Sequence, residues 1–149
     1  MASKILLIDD DKDDRELFCE AIEEVNNEII CHTSTNCRTA IEKLNSKEIE
    51  VPDIIFLDIN MPGISGWQCL VLLKENDAYK HIPVVMYSTT GHAIDIEKAH
   101  ELGAFCFFLK PSDFKDLKES LSVLANHLFS NSLSSLTSNS KVFVVPGRE

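Results

Sequence analysis

The sequence lacks any apolar run long enough to cross a bilayer as a helix, and no signal-like apolar region precedes its first acidic cluster. Basic residues are scarce: 14 Lys and Arg stand against 24 Asp and Glu, for a formal net charge of -10. That shortage argues against a basic nucleic-acid interface and against docking on an anionic membrane. Cysteine is odd in number, at five, with no CxxC pair and no ligand spacing to histidine. Neither a disulfide framework nor a zinc site is therefore expected, and reduced thiols in a cytoplasmic setting fit better. No internal repeat is visible. What remains is an ordinary globular balance, 44% hydrophobic and 26% charged over 149 residues, the size of one domain with a full core.

Short apolar runs punctuate the chain, at 4–8, 54–57, 84–87 and 105–109, with a more mixed candidate at 28–33. Runs this short and this continuous read as strands buried on both faces of a parallel sheet. Between them the apolar period lengthens to that of a helix. Leu17, Phe18, Ala21, Ile22 and Val25 share one face, with Asp13 and Asp14 suiting the first turn. Cys37, Ala40, Ile41 and Leu44 form a second stripe behind a capping Asn36. Ser65 and Gln68 have capping-box spacing ahead of a helix from about Gly66 to Asn76. A fourth helix runs from about Ala93 to Leu102 and stops at Gly103; a fifth, capped by Ser112, carries Phe114, Leu117, Leu121, Leu124 and Leu128. Five strand and helix pairs in alternation require an α/β, doubly wound parallel sheet with helices on both faces. Residues 130–140 are Ser/Asn-rich and read as linker, and 141–145 (KVFVV) as a loosely held, β-prone tail or docking segment. One domain, 1–129, is thus followed by a linker and tail, 130–149.

In open parallel sheets chemistry collects at the carboxyl ends of the strands. Those ends carry Asp9, Asp10 and Asp11; Asp58; Ser88 and Thr89; and Lys110. Each has an ordinary alternative: Asp58 can cap a turn, Ser88 a helix, the Asp cluster can solvate a loop, and Lys110 can be a surface lysine. Together they are complementary. Carboxylates crowded into one site raise one another's pKa unless a cation is present, and a hard divalent ion such as Mg²⁺, or Mn²⁺, takes oxygen ligands. Acids, a cation, a hydroxyl and an ammonium are the parts for receiving a phosphoryl group on a carboxylate oxygen.

The motifs ILLIDDD, FLDINMPGISG, PVVMYS and FLKP, in this order and spacing, resemble the receiver domain of bacterial two-component response regulators, of the stand-alone, chemotaxis-regulator-like kind. The likeness spans roughly residues 3–129. It implies a flavodoxin-like strand order 2-1-3-4-5. Asp58 matches the phospho-acceptor; Asp9 and Asp10 match the metal-holding acids, with Asp58 and the carbonyl of Asn60 as further ligands. Lys110 matches the phosphoryl-binding lysine, and the Lys110–Pro111 bond one that is cis in the family. Ser88 and Phe107 match the switch pair, with packing alone available to Phe107, and Asn60 and Thr90 the positions that tune acyl-phosphate hydrolysis. The implied partners are a sensor histidine kinase or phosphotransfer protein, an unidentified downstream target and a homodimer. The about 20 residues after the last helix are too few for a DNA-binding domain. Two alternatives belong to other classes. A small Mg²⁺-dependent Asp-nucleophile phosphohydrolase is disfavoured because Asn60 stands where its general acid belongs. A pseudo-receiver interaction module is disfavoured by the complete set of acids, hydroxyl and lysine.

Overall fold

The computed structural model describes residues 3–129 and 143–144. Elements alternate as the hydrophobic periods require: β1 (Lys4–Ile8), α1 (Lys12–Val25), β2 (Ile30–Ser34), α2 (Cys37–Asn45), β3 (Ile54–Asp58), α3 (Gly66–Glu75), β4 (Val84–Ser88), α4 (Ala93–Glu101), β5 (Cys106–Leu109) and α5 (Phe114–Phe129). These five strands are parallel and ordered 2-1-3-4-5. A sixth strand, β6 (Phe143–Val144), extends the sheet antiparallel to β5, pairing Phe107 with Val144 and Phe108 with Phe143. The tail expected to be loose or to dock on a neighbour thus places two residues on its own sheet edge, where β5 offers unpaired backbone groups. The expected linker, 130–140, lies outside the described residues.

Strand alternation sorts the side chains onto two faces. Ile5, Leu7, Phe56, Val85, Tyr87 and Phe108 meet the buried stripes of α1 and α5, including Phe18, Ile22, Leu121 and Leu124. Leu6, Ile8, Ile55, Leu57, Met86 and Phe107 face Ala40, Leu44, Leu70, Leu73 and Ala99 from α2, α3 and α4. On the first face the rings of Phe18 and Phe56 meet edge-on at 4.9 Å, and those of Tyr87 and Phe108 lie 5.4 Å apart. Such pairs add about 0.5–1.5 kcal/mol each beyond their buried area. The strand ends are therefore set in a rigid, close-packed base.

Caps follow the expected chemistry with one correction. Asn36 accepts from the Thr39 amide at 2.8 Å, and Ser65 and Gln68 form a reciprocal capping box. At α5 the cap is Asp113, not Ser112: its carboxylate accepts from the Asp116 amide at 2.8 Å. Asp113 stands immediately before the first helical residue, and its charge also suits the helix dipole.

The cysteines need a second correction. Cys37 at the start of α2 and Cys69 in α3 are joined as a disulfide, 32 positions apart in sequence. Both helices pack on the same face of the sheet, so the topology brings together two thiols that no local spacing relates. Cys19, Cys31 and Cys106 are free.

Candidate functional site

β1 and β3 are hydrogen-bonded neighbours, so their ends deliver Asp9, Asp10 and Asp58 to one place. One oxygen from each lies within 4.8 Å of the other two. Asp9 and Asp58 are buried at 0% and 6% exposure, while Asp10 is exposed. Asp9 is held by its neighbours: its amide donates to Ser34 O at 3.0 Å, its Oδ1 accepts from the Asp11 amide at 2.9 Å, and its carbonyl accepts from Arg15 Nη1 at 2.9 Å. Asp11 in turn caps α1 by accepting from the Asp14 amide at 3.0 Å.

Lys110 arrives from the end of β5. Its amide donates to Ser88 O at 2.6 Å, and its ammonium lies over the Tyr87 ring at 4.8 Å. Nζ reaches Asp14 at 2.9 Å, Asp9 at 3.0 Å and Asp58 at 3.4 Å. The Lys110–Pro111 bond is trans, correcting the expected cis isomer, since the described residues contain no cis peptide. Trans is the ordinary preference of an X–Pro bond, and in this geometry the side chain already reaches the carboxylates.

Burial pushes the Asp58 carboxyl up to about 6; Lys110 opposes the shift, and the neighbouring Asp9 and Asp10 charges add to it. Asp9 is also raised by burial, against the Asp11 amide and Lys110. Burial acts against the Lys110 ammonium, but the Asp14 hydrogen bond and the charges of Asp9 and Asp58 outweigh it and raise its pKa. The site is thus short of positive charge. A donor set of three close carboxylates, two of them buried and reluctant to ionise, fits a hard divalent cation.

An open cleft of about 510 Å³ exposes these groups, lined among others by Asp9, Asp10, Asp14, Asp58, Asn60 and Lys110. Thr89 lines it as well, whereas Ser88 is buried at 2% exposure with its Oγ accepting from the Thr90 amide at 3.2 Å. Thr90 is exposed beyond the end of β4, and Phe107 is buried at 2% in the core on the α4 side. Of the residues expected at the strand ends, the fold brings Asp9, Asp10, Asp58, Asn60 and Lys110 into one cleft, with Ser88, Thr90 and Phe107 behind or beside it. The strand-end reading missed Asp14, the closest partner of the Lys110 ammonium. The available signal was spacing: Asp14, Phe18 and Ile22 lie four residues apart, placing a carboxylate on the core-facing stripe of α1.

The loop after β3 positions Asp58 through two glycines. Gly63 has φ +77°, a left-handed conformation glycine adopts without penalty. At Gly66 a Cβ would collide with the Asp58 carbonyl oxygen and Ile59 Cα, while the Gly66 amide donates to Ile59 O at 2.9 Å. Gly66→Ala must displace backbone beside the carboxylate. Urea unfolding should register a loss of about 1–3 kcal/mol, the scale of overpacking; an unchanged midpoint would refute the close approach.

The model of the response regulator receiver domain family matches residues 5–122. Protein PilG of Pseudomonas aeruginosa is 32% identical over 114 residues, covering 76% of this chain and 81% of PilG. Response regulator Rcp1 of Synechocystis is 32% identical over 120 residues, covering 76% of this chain and 80% of Rcp1. Its solved Mn²⁺-bound form superposes with a TM-score of 0.74 at 26% identity, over 92% of this chain and 99% of that one. The phosphorylated cyanobacterial phytochrome response regulator RcpA gives a TM-score of 0.80 at 27% identity, over 88% of this chain and 96% of its own. Some relatives are longer: the chain spans about half, 49%, of the phosphate regulon regulator PhoB of Escherichia coli.

Proposed function

The chain belongs to the response regulator receiver domain family, and from that premise we propose that Asp58 is its phospho-acceptor, taking a phosphoryl group from a phosphohistidine on a partner kinase or phosphotransfer protein. The observation that carries this reading is the convergence of Asp9, Asp10, Asp58 and Lys110 in one open cleft. In the transfer the N–P bond breaks and a bond from Asp58 Oδ to phosphorus forms. Asp58 must be ionised to attack, and Lys110, 3.4 Å away, keeps a positive charge beside the arriving phosphoryl oxygens. Asp9, Asp10, Asp58 and the Asn60 carbonyl would hold Mg²⁺, which when bound supplies further charge neutralisation at those oxygens.

Ser88 and Phe107 serve as the switch, with the Ser88 hydroxyl leaving the Thr90 amide for the new phosphoryl oxygens and Phe107 responding by packing alone. Met86 and Phe107 are directly paired across β4 and β5, which couples the strand end to the α4–β5–α5 face. That face would be read by a downstream partner, and it presents Ile94 at 75% exposure. Asn60, which lines the cleft, and Thr90, exposed just beyond β4, tune the lifetime of the acyl phosphate. The described residues contain no helix long and apolar enough to cross a membrane. A cytoplasmic setting and a homodimer complete the reading.

Incubation with acetyl phosphate and Mg²⁺ tests it, followed by intact mass and a chromogenic phosphate ester as control. One added phosphoryl group at Asp58, labile to hydroxylamine, with no ester turnover is the expected result. Steady ester turnover would instead favour a phosphohydrolase, a reading that Asn60 disfavours by placing an amide where a general acid belongs. No labelling by acetyl phosphate and no ester turnover would leave an interaction module.

Metal binding should depend on pH in a direction set by Asp58. With its carboxyl at about 6, a cation must displace a proton below that pH. Apparent Mg²⁺ affinity, followed by fluorescence of the single Trp67 or by Mn²⁺ electron paramagnetic resonance, should be flat above neutrality. Below pH 6 it should fall by about tenfold per pH unit for each proton displaced. A profile flat down to pH 4.5 would sink the assignment.

A further inference from the structure

The geometry points to a second chemical site, remote in role from phosphoryl transfer: Cys19 of α1 and Cys31 of β2 form an oxidisable dithiol that a hydroperoxide closes into a disulfide. Their sulfurs lie 3.3 Å apart, in contact but unbonded. Both residues are partly exposed and line a cleft of about 260 Å³ with Ile22, Glu23, Asn27 and Ile29, large enough to admit a small peroxide. The remaining cysteines are differently placed. Cys37 and Cys69 are already joined, and Cys106 is buried, with its thiol pushed up by that burial.

The two thiols divide the chemistry. The hydrogen bond between the two thiols holds Cys19 below its ordinary value, against burial and with help from the Arg15 charge one turn earlier on α1. The Cys31 thiol is pushed up by the same contact and by burial. Arg15, four residues before Cys19 on the same helix, sets a positive charge on the Cys19 side of the pair, which makes Cys19 the attacking thiolate and Cys31 the resolving thiol. The Cys19 sulfur attacks one peroxide oxygen; the O–O bond breaks, the thiolate is oxidised to a sulfenic acid, and the other oxygen leaves as water after taking up a proton. The Cys31 sulfur then attacks the sulfenic sulfur, the S–O bond breaks, and a second water leaves carrying the Cys31 proton. Two electrons pass in all from the dithiol to one peroxide, and the product bridges α1 to β2. A dithiol reductant reverses it.

The test uses the full chain, brief exposure to low hydrogen peroxide, alkylation under unfolding conditions, and unreduced digestion at glutamate. Cleavage after Glu20, Glu23, Glu24 and Glu28 separates the two cysteines, which no Lys or Arg divides. Peptides bearing Cys19 and Cys31 should be recovered linked, and Cys19 should be consumed at least about tenfold faster than Cys106. In Cys31→Ser the reaction should stop at a sulfenic acid on Cys19, trapped by dimedone; in Cys19→Ser, Cys31 should remain alkylatable. The wild-type measurement stands even where a variant folds poorly. Recovery of both thiols unlinked, linkage of either to another cysteine, or linkage only between chains would each overturn the proposal.

Discussion

Asp58→Asn is expected to leave no hydroxylamine-labile phosphate with acetyl phosphate or a phosphorylated kinase as donor, and to be more stable than the native chain at pH 7. The functional loss should be about a thousandfold or more, the scale on which removal of a reacting group acts. The stability gain follows from the same carboxylate. Its folded pKa, about 6, lies above the unfolded value of 3.8, so the folded state binds the extra proton across that window. Raising the pH through the window removes stability, and above it the native chain carries the full cost of an ionised, buried Asp58. That difference between the folded and unfolded carboxyl corresponds to about 3 kcal/mol as an upper bound. Without divalent cation, urea unfolding should show the Asn variant gaining at pH 7 and losing that advantage toward pH 4. Added Mg²⁺ should narrow the gap by stabilising only the native chain. Persistent labelling of the variant would displace Asp58 as acceptor, and a pH-independent stability difference would contradict its burial as a reluctant anion.

What was legible in the sequence follows the same division between local and long-range forces. The strands were readable because residues buried on both faces form continuous apolar runs, as in the IIF stretch of β3. The caps at Asn36 and Ser65 were readable because capping is settled within four residues. β2 was harder, since its burial is partial along most of its length and no clean period survives. The Cys37–Cys69 and Cys19–Cys31 contacts were not legible, because each depends on which helix packs against which element. Asp14 was half legible. Its place in the first turn suited the helix dipole, and only the packed position of α1 shows the carboxylate turned to Lys110. The β-prone character of 141–145 was readable, but the pairing of β6 was not, because it depends on the open edge of β5 rather than on any local pattern.

Lys110→Met is expected to have the other large effect, and its sign reverses that of Asp58→Asn. Among the described residues Lys110 is the one ammonium bonded to Asp9, Asp14 and Asp58, and its side chain is only 9% exposed. Methionine fills similar space without the charge, leaving three carboxylates facing one another in a partly dry site. Removal of one partner from a buried ion-paired cluster costs about 3–5 kcal/mol, because the remaining charges lose their compensation. The loss should be largest at pH 7 without metal and should shrink as the pH falls, since Asp58 and Asp9 both have raised pKa values and protonate early. Mg²⁺ should recover part of it by supplying positive charge at the same carboxylates. Phosphorylation should remain slow even when the metal restores stability, by about 100- to 1,000-fold, the effect of deleting one preorganised stabilising group. Stability and phosphorylation therefore separate in this variant. Rates that recover fully with Mg²⁺ would reduce Lys110 to a structural counterion, whereas rates that stay low at restored stability would assign its charge to the transfer itself.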